Sequence, residues 1–86
     1  MLKRQTFQFT APNAKNVLLV GDFTDWQKKA IPMHQGSSGV WISKVALPPG
    51  THHYLFIVDG QWCGDPECNA RVANPYGGQN MVRQVA

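Results

Sequence analysis

Apolar residues recur at every second position along most of this chain, and glycine or proline interrupts every stretch of about a dozen residues. A period of two places successive side chains on opposite faces of a β-strand, whereas a helix would need apolar residues three or four positions apart. The clearest alternation runs from Thr51 to Val58, with Tyr54, Phe56 and Val58 on one face and His53, Leu55 and Ile57 on the other. Asp59-Gly60 follows it, a dipeptide preferred in two-residue hairpin turns. The sequence therefore predicts an all-β fold.

Turn residues divide the rest of the chain into further short strands. The predicted strands are Lys3–Thr10, Val17–Val20, Ile31–His34, Val40–Leu47 and Asn80–Val85. The stretch from Cys63 to Gly78 loses the alternation and is predicted to be a surface loop. In the last strand, alternation leaves open whether Met81 and Val85 or Val82 faces the core. About seven short strands in 86 residues predict a single domain with an immunoglobulin-like β-sandwich fold.

The charge of the chain is modest, and its basic residues are scattered. Eight Lys and Arg against five Asp and Glu give a formal net charge of +3. No stripe of cations is present that could follow a phosphate backbone, so nucleic acid is not an expected partner. The first residues contain no apolar export segment, and no apolar run approaches the length of a membrane span. We therefore expect no membrane association and a cytoplasmic location.

Candidate catalytic and metal-binding residues form no recognisable motif. The five carboxylates all lie in or beside predicted turns, where Asp usually binds its own backbone, and no Ser or Cys stands in the context of a known nucleophile. The possible zinc ligands are Cys63, Cys68, His34, His52 and His53. A C-x4-C spacing is longer than the usual C-x2-C, and two adjacent histidines on a strand face opposite ways. We predict reduced thiols, no metal, no cofactor and no enzymatic activity.

The aromatic residues divide into two groups by their position. Five lie at strand-period positions and are predicted to fill the core: Phe7, Phe9, Trp41, Tyr54 and Phe56. Trp26 and Trp62 lie instead among polar and turn residues. A loop tryptophan can fold back over the end of a sandwich or stay exposed to bind a ligand, and placement alone favours neither. Two exposed indoles would offer flat apolar faces that match the axial C–H faces of pyranose rings, with neighbouring polar groups for the hydroxyls.

Five segments in order resemble the glycogen-binding module family, carbohydrate-binding module family 48. They are Val20–Trp26, Leu47–Gly50, Tyr54–Trp62, Asp65-Pro66 and Gly78–Asn80. Together they extend over nearly the whole chain. The resemblance implies an early-set, immunoglobulin-like sandwich that binds α-1,4-linked glucan, as in glycogen, starch or maltooligosaccharides, without catalysis.

The resemblance also implies roles for individual residues. Trp26 and Trp62 would stack on successive glucose rings. Asn80 would hydrogen-bond to sugar hydroxyls, and Tyr76 would contact the glucan in place of an apolar residue.

At two positions the chain departs from the family pattern. Leu55 stands where kinase-subunit members have a sugar-binding lysine, and Gly78 replaces a threonine. Lys44, on a strand expected to lie nearby, is the candidate to substitute for the missing lysine. Many family members accompany a catalytic domain, so the expected partners besides α-glucan are a glycogen-metabolising enzyme or a kinase. The alternative is a protein-interaction or regulatory module of the same fold, with weak sugar binding or none.

Overall fold

The computed structural model describes all 86 residues and contains nine β-strands and two short 3₁₀ turns. The strands are β1 (Lys3–Thr10), β2 (Val17–Gly21), β3 (Ile31–Pro32), β4 (His34–Gln35), β5 (Val40–Leu47), β6 (Gly50–Val58), β7 (Gln61–Cys63), β8 (Arg71–Ala73) and β9 (Gln79–Val85). The 3₁₀ turns are Trp26–Lys29 and Ser37–Gly39. All strand pairs are antiparallel and form two sheets, which confirms the predicted all-β sandwich. No helix combines the length and apolar character needed to cross a membrane.

The strand β6 is paired along both of its edges. The smaller sheet has the order β1-β5-β4, and the larger one has the order β3-β2-β6-β9-β8 with β7 also on β6. One edge of β6 pairs with β2 through residues 54–58. The opposite edge pairs with β9 through residues 50–54 and with β7 through residues 56–58. The predicted strand with the clearest alternation is therefore the centre of the larger sheet.

The hydrophobic core lies between the inner faces of the two sheets. Phe7 from β1 and Tyr54 and Phe56 from β6 are almost completely buried. The rings of Phe7 and Tyr54 meet edge to face with their centroids 4.9 Å apart, a favourable aromatic geometry. Trp41 is buried and its indole N–H donates to a backbone carbonyl oxygen at 2.9 Å. Together with Phe9, which is half-buried and packs on Phe56, these confirm the five predicted core aromatics.

The larger sheet also buries apolar residues on its outer face. Val20 pairs with Leu55 across β2 and β6, and both are buried although they point away from the core. The 3₁₀ turn Trp26–Lys29 packs on β2, so β2 is covered on both faces. Coverage on both faces explains why β2 is an uninterrupted apolar run. On β9, Met81 and Val85 face the core and Val82 faces outward, which settles the orientation that alternation left open.

Two predicted boundaries are wrong. The segment Ile31–His34 is not one strand, because β3 joins the larger sheet and β4 joins the smaller one. Met33 lies buried between them, and its N–H donates to the Val17 carbonyl oxygen at 2.9 Å. The predicted loop from Cys63 to Gly78 contains β8 and the end of β7. Three-residue strands are too short to show alternation, and every residue of β8 is exposed.

Asp59 and Gly60 form the predicted two-residue hairpin between β6 and β7. Their φ angles are 48° and 85°, as the type I′ turn requires. The Asp59 carboxylate does more than shape the turn, because Oδ1 accepts hydrogen bonds from the N–H groups of Lys15 (2.9 Å) and Asn16 (2.8 Å). The hairpin is thereby tied to the loop that precedes β2.

A buried tyrosine links the core to the loop between β7 and β8. The Tyr54 hydroxyl donates to Asp65 Oδ2 at 2.9 Å, and Asp65 Oδ1 accepts from the Glu67 N–H at 3.0 Å. Burial raises the pKa of the Tyr54 phenol well above its ordinary value, and the hydrogen bond to Asp65 raises it further. The neutral phenol is therefore the form that the folded state favours.

Replacing Asp59 tests the tie between hairpin and loop. Asp59→Ala removes two hydrogen bonds to a charged acceptor and places alanine in a left-handed conformation, so we expect a loss of about 2–4 kcal/mol in the free energy of unfolding. Asp59→Asn retains an acceptor oxygen and tolerates positive φ, so it should lose clearly less. Urea denaturation of both variants measures the difference, and equal losses would contradict this role.

Tyr54 should make the stability of the fold sensitive to alkaline pH. Its pKa is raised in the folded state, so its contribution is complete below the unfolded pKa of about 10 and decreases as pH rises above that value. Tyr54→Phe should lower the free energy of unfolding at pH 7 by about 1–3 kcal/mol, because a hydrogen bond to a charged group is lost. Above about pH 10 the wild type should approach the variant in stability. A constant difference between pH 7 and pH 11 in urea denaturation would rule this out.

Candidate functional site

A broad open depression of about 1000 Å³ lies over the part of the larger sheet where β6, β7 and β9 meet. Its lining includes Trp26, Leu55, Trp62, Tyr76 and Asn80, and we call it the aromatic depression. These side chains come from the turn after β2, from β6, from β7, from the turn between β8 and β9, and from β9 itself. Trp26 and Trp62, although far apart in sequence, lie on the same surface. The expectation that both are loop residues is wrong for Trp62, because it lies on the short strand β7.

The strands β6 and β7 supply the floor of the aromatic depression. Directly paired residues of antiparallel strands project to the same face of a sheet, and Ile57 pairs with Trp62. Leu55 lies two residues before Ile57 and so shares this outer face. Leu55 is buried, whereas Trp62 keeps 47% of its surface exposed. The Asp59-Gly60 turn fixes this register and therefore the face on which the indole lies.

Trp26 enters the aromatic depression from a tight turn that follows β2. Gly21 is needed at the start of this turn, because a Cβ there would collide with the carbonyl oxygen of His53. The buried Thr24 Oγ1 accepts from the Gly21 N–H at 2.9 Å and lies 2.9 Å from the Trp26 carbonyl oxygen. Asp25 and Trp26 both have positive φ, 52° and 55°, a conformation that bulky residues rarely adopt. Thr24 therefore stabilises an unusual backbone geometry that sets the position of the indole.

The turn between β8 and β9 is organised by Asn74. Its Oδ1 accepts from the N–H groups of Tyr76 (3.0 Å) and Gly78 (3.1 Å), and its Nδ2 donates to Asn80 Oδ1 at 3.1 Å. Tyr76 at the tip of the turn is 93% exposed. The side-chain nitrogen of Asn80, Nδ2, makes no hydrogen bond within the protein and remains a donor on the wall of the depression.

Lys44 does not reach the aromatic depression. It lies exposed on β5, opposite Thr6 of β1, and β5 belongs to the smaller sheet. The expectation that Lys44 substitutes for the lysine that Leu55 replaces is therefore wrong, because β5 lies in the other layer of the sandwich. Arg71, which was not among the predicted site residues, does line the depression. No signal marked it, because β8 has no alternation.

The groups that line the aromatic depression are suited to binding. They include aromatic faces, side-chain amides and one guanidinium, and no Asp or Glu is among them. Cys63 also lines the depression, and both cysteines of the chain are free thiols. No cluster of three or more His, Cys, Asp or Glu residues with the geometry of a metal site occurs in the chain. The depression can therefore stack against flat apolar faces and hydrogen-bond to polar rims.

Comparisons with known proteins give relatives of two kinds. The 5′-AMP-activated protein kinase subunit beta-1 of Homo sapiens is 35% identical over 79 residues, which cover 92% of this chain and 27% of the subunit. The 1,4-alpha-glucan branching enzyme GlgB of Lactobacillus acidophilus is 49% identical over 53 residues, 62% of this chain and 8% of the enzyme. GlgB of Synechococcus sp. is 35% identical over 77 residues, 90% of this chain and 10% of the enzyme.

The matches cover nearly all or most of this chain but only a small part of each relative. The chain spans about a quarter of the length of the human kinase subunit and about a tenth of the branching enzymes. Residues 4–86 match the family described as the glycogen recognition site of AMP-activated protein kinase. Because this match takes in almost every residue and both sheets of the sandwich, the chain belongs to that glycogen-recognition family.

Proposed function

We propose that this chain binds α-1,4-linked glucan without catalysing a reaction, and that Trp26 and Trp62 stack on successive glucose rings. The observation that carries the proposal is that Trp26 and Trp62, which come from distant segments of the chain, line one depression. Membership of a glycogen-recognition family supports the class of ligand. The absence of carboxylates from the lining is consistent with binding alone, because glycoside hydrolysis usually requires a pair of them.

Stacking suits this ligand because a glucopyranose ring has an apolar C–H face and a polar rim. Covering that face with an indole removes apolar surface from water and contributes about 25 cal/mol per Å². Trp62 is about half-exposed and so offers a free face to the ligand. Trp26 is half-buried and held by its turn, so ordering it on binding loses little conformational entropy.

The polar contacts would come from the opposite wall of the depression. Asn80 Oδ1 already accepts a hydrogen bond from Asn74, so its free Nδ2 is the group that would donate to a sugar hydroxyl. Tyr76 projects from its turn and would contact the glucan from above. Leu55 adds apolar floor but no hydrogen bond, and we therefore expect weaker binding of neutral glucan than in relatives with lysine there.

We also propose that the module acts beside a glycogen-metabolising enzyme or a kinase and directs it to glucan. The relatives support this, since the matching segment is a small part of a kinase subunit or of branching enzymes. The free thiols of Cys63 and Cys68 fit a reducing compartment such as the cytoplasm.

A protein partner is the second candidate ligand for the aromatic depression. Trp62 and Tyr76 are large exposed side chains on one surface, and aromatic residues are enriched at protein interfaces. Under this alternative the depression would be covered by another protein, and maltooligosaccharides would not bind to it.

Titration with maltoheptaose separates the two candidates. We expect the intrinsic fluorescence to change on binding, because Trp26 and Trp62 lie at the site while Trp41 is buried in the core. Trp62→Ala and Trp26→Ala should each weaken binding about tenfold or more in isothermal titration calorimetry, since each removes an aromatic face. Lys44→Ala, on the other sheet, is the matched control and should bind like the wild type. No heat or fluorescence change up to millimolar sugar, with folded protein, would refute glucan binding.

Thr24 tests whether the position of Trp26 matters. Thr24→Val keeps the shape of the side chain but leaves the buried Gly21 N–H without its acceptor, so we expect the free energy of unfolding to fall by about 1–3 kcal/mol. Maltoheptaose affinity should fall as well, because the Trp26 turn is no longer held. Thr24→Ser retains the hydroxyl and should restore most of the affinity. Unchanged affinity in folded Thr24→Val would show that the turn geometry is irrelevant to binding.

A further inference from the structure

Arg71 is the one charged residue that lines the aromatic depression, and the stacking and amide contacts described above leave it unused. The loop before β8 fixes its side chain. Nε donates to the Cys68 carbonyl oxygen at 3.2 Å, and Nη2 donates to the Asp65 carbonyl oxygen at 3.2 Å. A guanidinium has five N–H donors, so three remain free, including both on Nη1.

No carboxylate oxygen lies within 4.0 Å of the Arg71 guanidinium nitrogens. The ion pairs within 4.0 Å in this chain join Lys28 to Asp25 and His52 to Asp22. Asp65 is close in sequence, but its carboxylate accepts hydrogen bonds from the Tyr54 hydroxyl and the Glu67 N–H instead. Since no Asp or Glu lines the depression, the Arg71 guanidinium is a positive charge there without an ion-pair partner.

We propose that this site prefers α-glucan bearing phosphate monoesters, with Arg71 binding the phosphate while the tryptophans stack on neighbouring glucose rings. The inference rests on the proposed function and names a narrower class of ligand. The planar guanidinium presents its N–H groups in a fork that matches two phosphate oxygens. A phosphate monoester carries about −1.5 to −2 charges at neutral pH, and no carboxylate in the depression would repel it.

The position of Arg71 makes it a determinant of specificity more than of fold. It is exposed on β8, whose three residues are all exposed. Its two hydrogen bonds go to carbonyl oxygens of a surface loop and orient the guanidinium without bringing it into the core. A neutral glucan needs only the aromatic faces and amides. The charge of Arg71 would therefore discriminate between phosphorylated and neutral glucans that are otherwise alike.

The test compares maltoheptaose with the same oligosaccharide carrying one glucose 6-phosphate, by calorimetry at low salt. Because an exposed ion pair contributes little, we expect the wild type to bind the phosphorylated oligosaccharide about two- to fivefold more tightly than maltoheptaose. At about 1 M salt, where the Debye length is about 3 Å, this ratio should fall towards one. Arg71→Gln should abolish the ratio at low salt, and Arg71→Lys should retain part of it.

Lys44→Gln is the matched control, because it removes the same net charge from the opposite sheet and should leave the ratio unchanged. Circular dichroism and urea denaturation establish that each variant is folded. Equal affinity of the wild type for both oligosaccharides would overturn this inference but not the proposed function. The same holds if Arg71→Gln keeps the full preference for the phosphorylated oligosaccharide, or if Lys44→Gln loses it. If neither oligosaccharide binds the wild type, the proposed function fails and this inference fails with it.

Discussion

The structure depends on β6, which is hydrogen-bonded along both edges and covered on both faces. Its inner face carries Tyr54 and Phe56 into the core, and its outer face carries Leu55 and Ile57 beneath the aromatic depression. A strand in this position cannot shift by one residue without exchanging the core face for the site face. The register that buries the core therefore also places the floor of the site.

Polar side chains connect each loop of the site to this strand or to its neighbours. Asp22 Oδ2 accepts from the His53 N–H at 3.1 Å and attaches the Trp26 turn to β6. Asp59 attaches the hairpin that carries Trp62, and Asp65 attaches the loop that holds Arg71. In each case a carboxylate accepts hydrogen bonds from neighbouring groups, which gives these three turn-located carboxylates a structural role. The loops that line the depression are consequently held by hydrogen bonds to strands or to neighbouring loops, so its shape is largely preformed.

The sequence predicted the features that show alternation or turn residues, and it missed those that depend on how strands pack together or that are too short to show a pattern. The bounds of β1 and β5 and the Asp59-Gly60 hairpin follow from alternation and turn chemistry, and all agree with the structure. Trp26 and Trp62 could be selected because they break that alternation. Lys44 was misplaced because alternation describes faces within a strand but says nothing about which sheet the strand joins. Arg71 was missed because a three-residue exposed strand has no hydrophobic signal.

Some residues around the depression are constrained by packing or buried hydrogen bonds, whereas others are exposed, and the exposed ones are where members of such a family can differ. Gly21 cannot change without a collision, and Thr24 cannot change without leaving a buried donor unsatisfied. Arg71 and Tyr76, by contrast, are exposed, and their substitution creates no cavity in the core. Substitutions at Arg71 and Tyr76 can therefore alter the charge and shape of the aromatic depression while Trp26 and Trp62 stay in place. In the proposed glucan site, a change at one of these exposed positions would therefore alter specificity without altering the fold.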